Sequence, residues 1–352
     1  MSRFLKKELA KMEAYVPGEQ PRDRAYIKLN TNESPFPPSP RVTEAVNAQA
    51  VESLRLYCDP TCKALKAALA KQYGVGEENL FLTNGSDDIL NFSFLAYGAD
   101  GATFADITYG FYSVFAELHG VTANLIPLRE DFTQDVERFK GHQGLVVLAN
   151  PNAPTGIALP LATVEEIVQA NPDAVVLVDE AYVDFGGESC VALTKKYANL
   201  LCVQTFSKSR SMAGARLGFA IADASLIADL EKIKYSTNPY NINTLTQIAG
   251  TAMVSDDAYY RANCKRIMEN RDYTVAELTA LGFTVLPSAA NFVFAKSDRI
   301  DGKTLYLALK EKGVLVRHFD KARIADFNRI TIGDRAEMET LIARIRDILN
   351  ER

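Results

Sequence analysis

The residues of this chain best suited to do chemistry are Lys208 and Arg216, in the segment TFSKSRSMAGARLGF (205–219). The segment follows NLLCV (199–203), an apolar run that is typical of a buried strand. A lysine at the end of such a strand is costly to bury unless a partner neutralises it or reacts with it. Arg216 stands eight residues further on, among small residues that let its guanidinium reach an anion near the backbone.

An amine nucleophile beside a fixed cation points to a phosphorylated carbonyl compound. Pyridoxal phosphate (PLP) has both features, because its aldehyde condenses with a lysine amine and its phosphate needs a cationic cradle. Taken alone, a lysine and an arginine in a loop are more often surface cations. Other strand ends must therefore supply the remaining parts of the site.

Two earlier strand ends carry residues that suit a phosphate and an aromatic ring. The turn Asn84-Gly85-Ser86-Asp87 follows the strand LFLT and leads directly into a helix, whose free N–H groups can hold a phosphate. Tyr109 follows the strand ATFAD, where its face can stack on a heteroaromatic ring. A capped NG turn and a core tyrosine remain the simpler alternatives.

A third strand end, after AVVLV, carries Asp179 and then Tyr182. A carboxylate there is costly to bury unless a cation meets it, and a protonated pyridine nitrogen is such a cation. Tyr182 can then donate a hydrogen bond to the phenolic oxygen of the same ring. The alternative for Asp179 is an ordinary helix N-cap.

The elements that must position these residues alternate between strand and helix from Leu80 onward. Their later strands are continuous apolar runs, as in a parallel sheet that is covered on both faces. The pattern predicts a three-layer αβα large domain with a mostly parallel sheet over residues 46–240 and a smaller α+β domain over 241–352. Residues 1–45 are predicted to be an arm, with a short amphipathic helix and a proline-rich extended stretch, that packs on the small domain and on a dimer partner.

Composition excludes several other classes of protein. The chain has 352 residues and a net charge of -5, which gives no electrostatic drive toward nucleic acid or an anionic membrane. It contains no apolar run of the roughly 20 residues that a membrane helix requires. Five scattered cysteines and three unclustered histidines predict reduced thiols, a cytoplasmic location and no metal site.

Taken together, these motifs resemble the fold-type I PLP enzymes of the aspartate aminotransferase family, and more narrowly the histidinol-phosphate aminotransferases. The resemblance covers essentially the whole chain through LNTNESP, NGSDD, NPNAPTG, VDEAYVDF, TFSKSRSMAGARLGF, PYNIN, ANFVF, VLVRHF and NRITIG. The intervals of 29 residues from Asp179 to Lys208 and of eight to Arg216 are close to the family pattern.

The resemblance implies a role for each matching residue. Lys208 resembles the lysine that binds PLP covalently, Asp179 the partner of the ring nitrogen, Tyr182 that of the ring oxygen, and Tyr109 the stacking aromatic. The residues that match the phosphate site are Gly85, Ser86, Asp87, Thr205, Ser207 and Arg216. The family commonly has a second Asn where this chain has Ala153, so either Asn152 takes the contact with the ring oxygen or Tyr182 makes it alone. Tyr57 resembles a tyrosine that a dimer partner supplies, which implies a homodimer with shared active sites.

The resemblance also implies substrate-binding roles for Tyr15, Asn30, Arg317 and Arg329. The expected reaction is amino transfer between L-histidinol phosphate and 2-oxoglutarate by alternating half-reactions, which serves histidine biosynthesis. A threonine-phosphate decarboxylase and an aromatic-amino-acid aminotransferase of the same fold are the alternatives. A non-catalytic PLP sensor acting on DNA is disfavoured because no nucleic-acid module precedes residue 45 and the charge is negative.

Overall fold

The structure is a computed structural model that describes residues 2–7 and 9–351. The strands are β1 (Ile27–Lys28), β2 (Leu80–Thr83), β3 (Ala102–Ala105), β4 (Ala123–Ile126), β5 (Gly144–Ala149), β6 (Ala174–Asp179), β7 (Leu200–Thr205), β8 (Gly218–Ala222), β9 (Phe283–Val285), β10 (Phe292–Ser297), β11 (Val314–Leu315), β12 (Arg317–His318) and β13 (Asn328–Thr331). The helices are α1 (Pro40–Ala45), α2 (Ala48–Glu52), α3 (Lys63–Tyr73), α4 (Ser86–Tyr97), α5 (Phe111–His119), α6 (Leu161–Gln169), α7 (Ala224–Thr237), α8 (Thr244–Val254), α9 (Asp257–Ala280), α10 (Gly302–Glu311) and α11 (Arg335–Asn350).

A seven-stranded sheet in the order β2-β8-β7-β6-β5-β3-β4 forms the centre of the large domain. Its pairs are parallel except where β8 lies antiparallel to both of its neighbours. Alternate residues of β5 enter different cores: Val146 packs in the core on one face, and Val147 packs in the core on the other. Burial on both faces explains why these strands are continuously apolar. The predicted αβα architecture is confirmed.

The C-terminal part contains a four-stranded antiparallel sheet in the order β12-β13-β10-β9. Helices α9, α10 and α11 accompany it, as the predicted α+β pattern requires. The arm strand β1 pairs in parallel with β11, so that Ile27 lies opposite Val314. The domain boundaries at residues 45 and 240 stay predictions.

The arm differs from the sequence prediction at its start. Where an amphipathic helix was expected, the described residues form a single 3-10 turn, Leu9–Lys11, without buried side chains. The helix prediction is wrong because so short a segment gains little stability from hydrogen bonds alone and here has no apolar surface to cover.

The strand directions decide where a ligand can bind. Strand β2 and the parallel strands β3, β5, β6 and β7 all end at one edge of the sheet, because β2 and β7 are both antiparallel to β8. Loops that follow these ends therefore meet in one crevice, which is where open α/β sheets bind their ligands.

Candidate active site

A cavity of about 390 Å³ lies at this edge of the sheet. Most of the residues predicted to hold the cofactor line it, namely Ser86, Asp87, Tyr109, Asp179, Tyr182, Thr205, Ser207, Lys208 and Arg216. They come from the loops and helix starts that follow four different strands. The structure thus brings together groups that are up to 130 residues apart in the chain, from Ser86 to Arg216.

Lys208 stands in the loop after β7, where its side chain is half-buried. Its Nζ atom donates a hydrogen bond to the carbonyl oxygen of Thr31 at 3.1 Å and lies 5.8 Å from the ring centre of Tyr182. Ser211, with a φ of 57°, turns the loop back toward the sheet. An amine held at a cavity wall by one backbone carbonyl is available to react with an aldehyde.

Asp179 ends β6 and is only 6% exposed. Its carboxylate accepts hydrogen bonds from the Tyr112 hydroxyl at 2.7 Å and from the Ala181 N–H at 3.1 Å. No Lys, Arg or His among the described residues forms an ion pair with it. Burial accordingly raises the pKa of Asp179 to about 6. The site presents a buried carboxylate whose cation must come from a ligand.

The anion-binding end of the cavity is built around the start of α4. Gly85 precedes this helix with a φ of 85°, a conformation that favours glycine, and a Cβ there would lie 2.5 Å from Nη2 of Arg216. The hydroxyls of Thr205 and Ser207 lie 3.0 Å apart nearby. Free helix N–H groups, hydroxyls and a guanidinium together form a suitable phosphate site.

The side chain of Asp87 is suited to positioning its neighbours rather than to binding a phosphate directly. Its carboxylate accepts hydrogen bonds from Arg216 at 3.0 Å and from the Tyr109 hydroxyl at 2.9 Å. An anionic side chain repels a phosphate, but these bonds orient the Arg216 cation and the Tyr109 ring, which both line the cavity. Only the backbone N–H of Asp87, in the first turn of α4, is suited to contact an anion itself.

The residues present fit PLP on four points. The cavity offers a lysine amine, a buried carboxylate without a cation, a tyrosine beside them and a helix N-terminus with an arginine. Each matches one chemical feature of PLP: the aldehyde, the basic ring nitrogen, the aromatic ring and the phosphate.

The two candidates for the ring oxygen are placed differently. The Tyr182 oxygen accepts a hydrogen bond from Asn32 at 3.0 Å, which leaves its own proton free to donate into the cavity. By contrast, the Asn152 side-chain N–H donates to the Ile107 carbonyl at 3.0 Å, and its amide oxygen accepts from the Thr108 hydroxyl at 2.8 Å. Asn152 is not among the residues that line the cavity, and these buried bonds hold its amide within the loop. Its neighbour Ala153 lines the cavity instead.

A second cavity, of about 500 Å³, adjoins the first and shares Tyr182 and Lys208 with it. The four residues predicted to bind substrate line this second cavity: Tyr15, Asn30, Arg317 and Arg329. The aromatic ring of Tyr15 stacks on Phe111 with 4.1 Å between ring centres. Lys208 lines this cavity as well as the first, so its amine is accessible from both.

Arg329 provides the strongest substrate signal in this cavity. Its Nη2 atom donates to the Asn30 carbonyl at 2.9 Å, and its guanidinium lies between Phe292 and Phe319, 5.5 and 5.7 Å from their ring centres. Its Nε atom is buried without a hydrogen-bond partner in the described chain. Burial lowers the pKa of Arg329, and no described carboxylate pairs with it. Arg317 instead donates to the arm carbonyl of Val16 at 3.1 Å.

Tyr57, another predicted cofactor residue, lies on the surface of its own chain. Its side chain is 85% exposed and stacks on Tyr240 at 4.7 Å between ring centres. It lines neither cavity of its own chain.

Three residues of the site escaped sequence reasoning: Thr31, Asn32 and Tyr112. Thr31 acts through its carbonyl oxygen, which carries no side-chain signal. Asn32 lies in the quoted LNTNESP motif, so its bond to Tyr182 was discoverable in principle. Tyr112, inside the apolar run FYSVF, has the pattern of an ordinary core residue.

Two further features bear on the predicted exclusions. Glu180, Cys190 and Cys202 form a buried cluster with ligand atoms within 4.8 Å of one another. The Glu180 oxygens already accept from Ser189, from the Cys190 N–H and from Gln204, so they have structural partners.

Across residues 2–7 and 9–351, no helix is both long and apolar enough to cross a membrane.

Comparison with known proteins agrees with the geometry. The family model for aminotransferase class I and II matches residues 24–345. The histidinol-phosphate aminotransferase of Marinomonas sp. (strain MWYL1) is 50% identical over 355 residues, which cover 99% of this chain and 100% of that protein.

Solved structures show the same fold. The histidinol-phosphate aminotransferase of Sinorhizobium meliloti, in complex with pyridoxal-5'-phosphate, superimposes with a TM-score of 0.86 at 22% identity, over 100% of this chain and 99% of that one. L-threonine-O-3-phosphate decarboxylase from Porphyromonas gingivalis superimposes with a TM-score of 0.80 at 22% identity, over 92% of this chain and 99% of that one. The fold alone therefore does not separate the two activities.

The raised pKa of Asp179 predicts a pH-dependent loss of folding stability in the cofactor-free protein. Its folded pKa of about 6 lies above the ordinary value of 3.8, so the wild type loses stability as the pH rises from about 4 to 6. Above pH 6, the free energy of unfolding of cofactor-free Asp179→Asn should exceed that of the cofactor-free wild type by up to about 3 kcal/mol. This difference should vanish near pH 4.

Chemical unfolding of both cofactor-free proteins between pH 4 and 8 measures this difference. Asp229→Asn, a change at an exposed helix residue, is the matched control and should give no such profile. A constant difference across the range would contradict the account of Asp179.

Proposed function

The chain belongs to the class I and II aminotransferases, and we propose that it transfers the amino group of L-histidinol phosphate to 2-oxoglutarate with PLP as its cofactor. The products are imidazole-acetol phosphate and L-glutamate, and the reaction serves histidine biosynthesis. The observation that carries this proposal is the 50% identity to a histidinol-phosphate aminotransferase over the full chain, joined to a site that retains the necessary chemistry.

The reaction divides between the cofactor and the chain. When bound, PLP supplies an electron sink that acidifies the α C–H bond of the substrate. The Lys208 amine, which faces both cavities, takes this proton as the general base. When PLP is bound, the Asp179 carboxylate would keep the ring nitrogen protonated, and the Tyr182 hydroxyl would donate a hydrogen bond to the ring oxygen. The two half-reactions run in opposite directions and give ping-pong kinetics.

The second cavity supports the choice of substrates. Glutamate and 2-oxoglutarate each bring an α-carboxylate, and Arg329 is a partly buried cation without an anion. Histidinol phosphate brings an imidazole and a phosphate, which suit the aromatic wall at Tyr15 and the cation Arg317. A site with two arginines and an aromatic wall can accept these unlike substrates in turn.

A substrate test separates this function from the alternatives of the same fold. We expect histidinol phosphate to be consumed only when 2-oxoglutarate is present, with glutamate formed in equal amount. Threonine phosphate should release no carbon dioxide, and aromatic amino acids should react at least about tenfold more slowly in kcat/KM. Carbon dioxide release without amino transfer would refute the proposal.

Substitution of Arg329 tests the carboxylate site. Arg329→Leu should lower kcat/KM for the glutamate half-reaction about 100-fold, because the α-carboxylate loses a charged hydrogen-bond partner in a partly buried site. The histidinol phosphate half-reaction should lose less, since that substrate has no carboxylate. Single-turnover absorbance of the bound cofactor measures the two half-reactions separately.

The control for this experiment is Arg335→Leu. Arg335 forms an exposed ion pair with Glu339, so its loss should leave both half-reactions unchanged. Equal losses in both half-reactions of Arg329→Leu would contradict a role specific to the carboxylate.

We also propose that the protein is a homodimer in which each chain completes the other's site with Tyr57. The support is the high exposure of Tyr57, which lines neither cavity of its own chain. Exposed apolar neighbours at Val51, Leu54, Leu56 and Tyr240 add a surface that a second copy can cover.

Five unpaired cysteines fit a reducing compartment, and we place the protein in the cytoplasm.

A mixed-dimer experiment tests the shared site. Tyr57→Ala and Lys208→Ala each remove one contribution to the site, so both homodimers should be nearly inactive. After subunit exchange, random pairing should restore about a quarter of wild-type activity, because half of the dimers then contain one intact site. Tyr235→Ala, another exposed tyrosine, should remain active. No recovery on mixing would contradict the proposal.

A further inference from the structure

Each of the three proposed catalytic residues is followed closely by a polar residue that faces the protein interior. Glu180 follows Asp179, Asp184 follows Tyr182 by two positions, and Arg210 follows Lys208 by two. Glu180 and Arg210 are fully buried, at 2% and 1% exposure. None of the three lines either cavity of the active site.

Arg210 is the centre of this group. Its Nη2 atom donates to the Tyr73 hydroxyl at 2.9 Å, and its Nη1 atom lies 3.5 Å from Oδ2 of Asp184. Its guanidinium lies against the ring of Tyr260, 4.6 Å from the ring centre, and against that of Phe206, at 5.0 Å. Arg210 is therefore held by one hydrogen bond, one ion pair and aromatic faces.

Asp184 joins the loop of Tyr182 to the loop of Lys208. The Ser209 hydroxyl donates to the same Oδ2 atom, at 2.5 Å, that pairs with Arg210. Two consecutive residues after Lys208 thus attach to one carboxylate, which sits two positions after Tyr182.

A chain of hydrogen bonds extends from Arg210 to the residue beside Asp179. The Tyr73 hydroxyl that accepts from Arg210 donates to Gln204 at 2.7 Å. Gln204 in turn donates to Oε2 of Glu180 at 2.8 Å. The opposite oxygen, Oε1, is fixed by the N–H of Cys190 at 2.6 Å. One connected network therefore reaches the chain neighbours of all three catalytic residues.

The burial of Arg210 and its partners has a free-energy cost that a purely structural element would avoid. A buried ion pair loses hydration, and apolar residues of similar volume are often as stabilising or more so. Two Arg210 nitrogens, Nε and Nη1, also lack a hydrogen-bond partner within the described residues. A planar, charged group does offer a fixed geometry that a flexible apolar side chain does not.

We propose that Arg210 is a positioning residue for amino transfer: through Asp184, Ser209 and the Tyr73–Gln204–Glu180 chain it fixes Lys208, Tyr182 and Asp179 relative to one another. This inference rests on the proposed function, since it takes the three residues as catalytic. It assigns no contact with substrate or cofactor to Arg210.

The principal test compares Arg210→Met, Asp184→Asn and the double variant as PLP-loaded dimers. Each single change should lower kcat about 30-fold while the KM for glutamate changes less than about threefold, because the network acts on geometry at the reacting atoms. The double variant should be no slower than the slower single one, since both changes break the same connection. Losses that multiply would overturn the proposal.

A spectroscopic readout that needs no substrate accompanies the kinetics. The pH at which the visible absorbance of the bound cofactor changes should shift by about half a unit or more in Arg210→Met, as Lys208 and Tyr182 move relative to the ring. Arg210→Lys, which keeps the charge, should shift it less. Unchanged spectra with only a lower melting temperature would show that Arg210 is merely structural.

Matched controls keep the outcome interpretable. Arg261 lies against the same Tyr260 ring, 5.4 Å from its centre, but pairs with Asp257 at the surface, so Arg261→Met should alter neither kcat nor the spectrum. If Arg210→Met does not fold, Ser209→Ala supplies the test, because it removes one of the two attachments to Asp184. A failure of the proposed function would appear in the wild type as absent amino transfer, whereas the spectral shift does not depend on which substrate reacts.

Discussion

The buried carboxylate of Asp179 is the constraint on which the site depends. It ends an apolar strand in the middle of the sheet, and among the described residues no cation neutralises it. Two hydrogen bonds hold it in place without removing the cost of its charge, so its pKa rises to about 6. A folded protein keeps such a group where a bound partner supplies the missing charge. The cofactor's ring nitrogen is that partner in our account.

A second charged group without a counter-ion among the described residues lies in the adjoining cavity. Arg329 lies between two aromatic rings with a buried Nε atom that has no partner in the described chain. Together the two groups place an uncompensated negative charge in the cofactor cavity and an uncompensated positive charge in the substrate cavity. Lys208 faces both cavities. Lys208 thus lies at the junction of two cavities that carry opposite charges.

The sequence predicted the sheet and most of the site because each strand end carried a visible signal, such as the glycine turn before Ser86 or the acidic residue after an apolar run. It could not predict contacts made by a backbone carbonyl, as at Thr31, or a tyrosine in an apolar helix, as at Tyr112. Asn152 was a plausible ring-oxygen partner by motif, yet local hydrogen bonds hold its amide elsewhere. The role of Arg210 required the coordinates, because its partners Tyr73 and Asp184 are distant from it in the chain.

The protonation state of the cofactor's ring nitrogen tests the central claim most directly. Nitrogen-15 NMR of PLP labelled at the ring nitrogen and bound to the wild-type protein reports this state through the chemical shift. The account predicts a protonated nitrogen at pH 7.5, stabilised by Asp179, and an unprotonated one in Asp179→Asn. An unprotonated nitrogen in the wild type at that pH would contradict it.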